Sequence, residues 1–287
     1  MLDLSAASND VIADFLEIVA KALYPKPLAI SEAYEIASNQ ARVPEMRVNA
    51  AFQVIQKRKS LLGVKYPFLS EANYVCQKGV EEFDVYSTLL MVSAPSELRH
   101  VPAWNIATAA KIMEHAVEKC FSGFFGTGTN SVNFGFPSEI DRPSDFSEAV
   151  AWLSRRTGIP VGAGYRAARF KDGGVDIFVW KQFPDGKPGV PLLLLQCTIQ
   201  EKFADKISDV DRRLWSSWLS SDIDPVVGLC VPNVVTSLEV WSEITTRGLL
   251  FDRTRLVLMC EEGNIGLSAT QKAFGAQLID QFRESFY

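Results

Sequence analysis

Two polar side chains stand where the surrounding sequence asks for apolar ones. Lys171-Asp172-Gly173-Gly174-Val175-Asp176 leads into a run of β-formers, and twenty residues after Asp176 a glutamine, Gln196, ends a run of four leucines. Burying an unpaired polar group costs about 1–3 kcal/mol on mutational scales, and an unpaired charge costs more. The paired glycines let the backbone turn tightly and leave room for a close approach. If the two segments are adjacent strands of a hairpin, Asp176 and Gln196 meet at one point. A hard cation such as Mg²⁺ (or Mn²⁺) would then satisfy both through oxygen ligands. A hydrogen-bonded structural pair is the competing reading of the same two residues.

The elements that must position them form a mixed α/β pattern from about residue 144. A helix is expected over 144–156, then strands over 164–170, 175–180 and 191–199, with the turn 183–189 joining the last two. A helix over 209–219, strands over 226–230 and 255–260 and a final helix after Ser268 follow. Helix, three-strand meander, helix, strand is a compact layered arrangement. Residues 1–121 read as mostly helical, with helices near 12–23, 30–39, 45–62, 83–91 and 106–121. In the last of these, Ile106, Ala109, Ala110, Met113 and Val117 form one apolar stripe, read as core. Residues 122–143 gather glycine, serine, asparagine and proline and read as a linker or surface loop. Gly126-Thr127-Gly128 lacks a following Lys-Ser/Thr and is no phosphate loop. The expected division is therefore 1–140, a helical region for regulation, recognition or assembly, and 141–287, the α/β domain.

Asp172-Gly173-Gly174-Val175-Asp176, a hairpin and then Leu193-Leu194-Leu195-Gln196-Cys197-Thr198 together resemble the PD-(D/E)XK nuclease superfamily, especially its Mrr-type restriction endonucleases. The resemblance covers residues 144–231, about a third of the chain. It implies a restriction-endonuclease-like α/β core and Mg²⁺-dependent hydrolysis of DNA, with restriction or anti-phage defence as the setting. Asp176 and Gln196 would be catalytic, metal-site residues. The chain departs from the family pattern at Thr198, which stands where a lysine is expected to activate water and offset negative charge. Lys202, in the shifted spelling Gln200-Glu201-Lys202, is the replacement candidate, because in an extended strand it shares a face with Gln196. The family often adds an acidic residue from a preceding helix. Glu148 is the expected one, against the plainer reading that Asp145 caps that helix and Glu148 is solvated.

Arg155, Arg156, Arg166, Arg169 and Lys171 lie in a stretch without a single acidic residue and are candidate phosphate contacts. The alternative function is a catalytically silent domain that binds nucleic acid or a protein as a subunit of a defence complex. A protein partner or a second copy is expected to engage the helical half.

Composition limits the alternatives. Net charge is −5, so bulk basicity is not the means of holding nucleic acid. Five cysteines stand far apart without a C-x-x-C pair, which argues for free thiols rather than a disulfide framework. His100 and His115 are too few for a zinc site or a histidine-based triad. Asp3, Asp10, Asp14 and Glu17 interrupt any signal-peptide pattern, and the apolar run 190–195 is far too short to span a bilayer. A cytoplasmic protein without a membrane segment is expected.

Overall fold

The computed structural model describes residues 3–79, 84–94, 104–164, 166–260 and 266–286. Phe83, expected to begin the fourth helix, lies outside these residues. So do His100 and Tyr165, the latter within an expected strand. In chain order the first elements are α1 (Asn9–Leu23), β1 (Leu28–Ala29), α2 (Ile30–Ala41), α3 (Glu45–Leu62), β2 (Phe68–Glu71), β3 (Tyr74–Gln77), α4 (Val85–Val92) and α5 (Ile106–Cys120). Then come β4 (Thr129–Asn133), α6 (Phe146–Thr157), β5 (Ile177–Lys181), β6 (Leu192–Cys197), α7 (Arg212–Trp218), β7 (Val226–Cys230), α8 (Leu238–Thr245), β8 (Leu249–Phe251), α9 (Arg253–Met259) and α10 (Ala269–Phe286). The fold is mixed α/β with a helical N-terminal region. No helix among the described residues is long and apolar enough to cross a membrane.

The chain forms two compact units. Unit 1 comprises Met1–Ile112, Pro232–Thr236 and Gly263–Tyr287; unit 2 comprises Met113–Val231 and Ser237–Glu262. The expected boundary at 140/141 falls inside unit 2, because the strand that pairs with β5 lies upstream of it.

Unit 1 is built on α1, whose residues from Ile12 onward are all buried and which packs against α3 and α10. Beside its apolar core sits a buried ionic cluster. Arg58 Nη1 donates to Asp14 (2.7 Å) and Glu17 (3.0 Å), and the hydroxyls of Tyr66 (2.5 Å) and Tyr86 (2.8 Å) donate to Glu17. Burial works against the Arg58 charge, yet Tyr86, Glu17 and Asp14 together hold it well above its ordinary pKa. Unit 1 also carries a small antiparallel sheet, order β1-β3-β2, which the helical reading of this half did not contain. These strands are two to four residues long, too short to set up a period of their own.

Unit 2 holds a five-stranded sheet of order β4-β5-β6-β7-β8. The first three strands are antiparallel neighbours, while β6–β7 and β7–β8 are parallel. Leu192–Leu195 and Ile177–Trp180 are buried along their whole length, as strands covered on both faces require.

The structure corrects three expectations here. The outer strand of the meander is β4, not 164–170, whose described residues form bends and irregular chain. Only Val132 of β4 is buried, so its pairing with β5 defines it rather than its own propensity. Residues 122–143 are therefore not simply a linker. Residues 255–260 are not a strand but mostly α9: Asp252 caps the helix by accepting from the N–H of Arg255 (2.9 Å), and the strand is β8 just upstream.

Candidate active site

Register brings one end of the sheet to a point. Asn133 pairs with Ile177 and Ile177 with Leu195, so the end of β4, the entry to β5 and the end of β6 lie side by side. Asp176 stands just before β5, with its main-chain N–H on the Leu195 carbonyl (2.8 Å) and its own carbonyl accepting from Phe134 and Gly135. Its buried carboxylate accepts from the Gln196 side-chain amide (2.9 Å) and the Cys197 backbone N–H (2.6 Å). The sequence pairing of Asp176 with Gln196 thus becomes a direct hydrogen bond.

The glycine turn before Asp176 makes room for the protein itself. Gly173 and Gly174 have φ of +62° and +78°. A Cβ on Gly173 would meet the Trp215 ring at 2.7 Å, and one on Gly174 would lie 2.1 Å from the Asp209 carbonyl oxygen. Trp215 donates its indole N–H to the Gly173 carbonyl (3.0 Å), and its ring stacks edge-on with Phe134, Phe178 and Trp218. Asp172 closes the turn by accepting from the Gly174 N–H. Gly174→Ala is expected to cost about 2 kcal/mol or more through backbone strain and the clash with Asp209. Gly186→Ala shares the positive φ but meets nothing within 4 Å, so its cost is expected to be smaller. Chemical denaturation of the two variants side by side measures the difference.

A second carboxylate enters the site from α5. Around the position a Cβ on Gly135 would occupy lie Glu114 Oε2 (3.2 Å), Asn133 Oδ1 (3.3 Å) and Asp176 Oδ1 (3.4 Å). Asn133 links Glu114 to Gly135, donating to Glu114 (2.9 Å) and accepting from the Gly135 N–H (3.0 Å). Glu114 is buried. The sequence held a signal for it that the reading passed over. Ala110, Glu114, Val117 and Phe121 fall at helical i, i+4, i+7, i+11 spacing, so an acid interrupts an apolar stripe.

The other expected site residues stand elsewhere. Glu148 is exposed in the first turn of α6, where Asp145 caps the helix by accepting from the Glu148 N–H (3.0 Å). The helical carboxylate beside Asp176 is therefore Glu114. Strand β6 ends at Cys197, so the shared face that linked Lys202 to Gln196 does not form. Lys202 is exposed in a bend and makes no hydrogen bond or ion pair among the described residues. Thr198 is buried, with its N–H on the Cys230 carbonyl (3.1 Å) and its hydroxyl accepting from the Gln200 N–H. Arg155 and Arg156 are exposed at the end of α6, and Arg156 pairs with Asp141 (3.0 Å). Arg166, Arg169 and Lys171 are exposed along the segment leading to the glycine turn. The Lys171 ammonium sits 4.4 Å from the centre of the Phe136 ring, next in sequence to Gly135.

Cys197 and Cys230 are register partners on β6 and β7. Burial, then the Cys230 hydrogen bond and the negative charges of Asp176 and Glu114, push the Cys197 thiol well above its ordinary pKa. It stays a protonated neighbour of the carboxylates, not a thiolate nucleophile.

Among the described residues no three His, Cys, Asp or Glu side chains are grouped to hold a metal ion. The donor set at Gly135 is instead two carboxylates and an asparagine carbonyl oxygen, with the Gln196 amide beside them. The carboxylates and the Asn133 carbonyl are hard oxygen donors, while the Gln196 amide presents its nitrogen to Asp176. Mg²⁺ is commonly held by only one or two carboxylates, with water and substrate phosphates completing the shell. The residues present fit such an ion.

No family model, curated protein or solved structure matches this chain.

Proposed function

We propose that unit 2 is a restriction-endonuclease-like domain that cleaves DNA phosphodiester bonds with Mg²⁺ (or Mn²⁺), acting in the cytoplasm in restriction or anti-phage defence. The observation that carries this reading is the convergence of Glu114 and Asp176 oxygens beside Gly135 at the end of a mixed sheet. The Asp-Gly-Gly-Val-Asp turn and the Gln196 strand support it from the sequence. Asp176 and Glu114 would hold the ion with the Asn133 carbonyl oxygen beside it, and Gln196 would offer its own carbonyl oxygen only after its amide turned over. Once bound, a divalent cation polarises a phosphoryl oxygen and makes a nearby water more acidic. The chain's own part is to fix the two carboxylates: Cys197 and Gln196 orient Asp176, and Asn133 orients Glu114. Unit 1 would receive a protein partner or a second copy.

A second reading is favoured by two observations. Thr198 is buried and hydrogen-bonded where a lysine is expected, and the Gln196 amide already satisfies Asp176 without a cation. Both suit a silent domain that binds nucleic acid or protein without cleaving it. Incubating plasmid and single-stranded DNA with the protein in Mg²⁺, Mn²⁺ or EDTA separates the two. Cleavage confined to the metal arms is expected, and its absence throughout leaves the silent reading.

Gln196→Glu tests the ion independently of cleavage. It sets a third carboxylate where an amide now lies 2.9 Å from Asp176 Oδ2, a repulsion that a cation relieves. Mg²⁺ is therefore expected to raise Tm more in the variant than in the wild type. Equal responses to Mg²⁺ would count against a metal at this point.

A further inference from the structure

Unit 2 carries a basic track outside the Asp176 centre. A pocket of about 750 Å³ is walled by Phe146, Val150, Val161, Phe170 and Trp218, with Arg166, Arg169 and Lys171 among its lining residues. A neighbouring depression of about 540 Å³ shares Gly162, Gly164 and Arg166 with it and adds Arg213. A third, of about 510 Å³, shares Asp211 and Arg213 with the second and adds Arg212 and Arg247. The three thus run on from one another. All six cations are exposed, and none has a carboxylate partner among the described residues, in a chain whose net charge is −5.

The two acids on this path are committed to helix ends. Asp145 accepts from the Glu148 N–H, and Asp211 accepts from the N–H groups of Arg213 and Leu214. Each offsets the positive end of its own helix.

The track is held in shape by the fold. The N–H of Gly162 reaches the Trp218 carbonyl (2.7 Å) and that of Gly164 the Ser217 carbonyl (2.8 Å). A Cβ at either position would meet the Ser217 oxygen, at 2.2 and 2.7 Å. These glycines let the basic segment lie flush on α7, and Arg142 fastens its far end at the Lys171 carbonyl. Phe170 remains 40% exposed, with the Arg169 guanidinium 5.2 Å from the centre of its ring.

We propose that this track binds single-stranded DNA, with phosphates along the six cations and one unpaired base held in the pocket against Phe170. Unpaired cations suit a phosphate backbone, and an exposed aromatic beside an arginine suits a base face. A duplex keeps its bases stacked inside and offers this pocket none. The proposal rests on the reading of unit 2 as a DNA-directed domain and names the form of DNA it takes.

The test is fluorescence anisotropy with a labelled 12-nucleotide strand and a hairpin duplex of the same composition. The full chain is used in EDTA, with the Asp176→Ala variant alongside, so that cleavage plays no part. Tighter binding of the strand than of the duplex is expected. Phe170→Ala should weaken the strand complex about five- to hundredfold, the range of one lost base stack. Removing Arg166 and Arg169 together should lower the slope of log affinity against log salt by about 1.4, or 0.7 per phosphate contact. Lys187→Ala, on an exposed turn that lines none of the three depressions, should leave binding unchanged. Duplex bound as tightly as the strand, or strand affinity indifferent to Phe170, overturns the proposal. Strand binding without cleavage in any metal would sink the nuclease reading alone; cleavage with Phe170-independent binding would sink this inference alone.

Discussion

Asp176→Ala is expected to abolish metal-dependent DNA cleavage, a loss of about a thousandfold or more if the ion supplies several kcal/mol of transition-state stabilisation. The alanine would also strand the Cys197 N–H, now 2.6 Å from the carboxylate, at about 1–3 kcal/mol. A drop in activity alone therefore does not separate chemistry from folding. Asp176→Asn does. An asparagine oxygen still accepts from Cys197, while the negative charge is gone. Cleavage of a labelled strand in Mg²⁺, compared with Tm for wild type and both variants, reads the two effects separately. The expected pattern is a near-native Tm for Asp176→Asn with activity as low as that of Asp176→Ala. Wild-type activity in Asp176→Asn would remove this carboxylate from the mechanism.

Arg58→Ala is expected to be the most destabilising single change in unit 1, by about 3–5 kcal/mol. That is a large share of the 5–15 kcal/mol that holds a typical domain folded. Arg58 faces Asp14 at 2.7 Å and Glu17 at 3.0 Å, and both carboxylates are buried. Removing the guanidinium takes the Arg58 cation away from both carboxylates. Urea denaturation of the wild type and the variant, followed by a probe in unit 1, measures this. A deficit under about 1 kcal/mol would show that the cluster does not act as an ion pair.

Much of this was legible in the sequence, for identifiable reasons. α3 has the bounds its pattern predicts, set between Pro44 and Gly63, and β5 and β6 fall within a few residues of theirs, because apolar runs with clear stops leave few choices. Asp176 and Gln196 meet because a hairpin makes their positions neighbours. β4 was not legible: Thr129-Asn130-Ser131-Val132-Asn133 carries one buried residue, and its strand character comes from β5. Glu114 was hidden for a related reason. It lies more than sixty residues before Asp176 and reaches the site because the part of α5 from Met113 onward and β4 belong to the same unit. Lys202 failed because a strand was extended past Cys197, where the chain turns through a bend into a 3-10 turn at Ala204–Asp209. Glu148 failed to Asp145, whose capping bond leaves Glu148 facing solvent.

The threading of the two units changes how the gene can be cut. The chain leaves unit 1 after Ile112, returns for Pro232–Thr236, leaves again, and finishes in unit 1 from Gly263. Unit 2 is thus an insertion, not a bead on a string. A fragment starting at residue 141 would discard Glu114 and the whole of β4, leaving β5 as a bare sheet edge prone to pairing with other chains. A fragment ending at residue 140 would lack α10, which packs on α1. Subcloning at the loop that looks like a linker would split unit 2 within its own sheet, and no single cut elsewhere separates the units, because α5 runs through the 112/113 boundary and Pro232–Thr236 returns to unit 1.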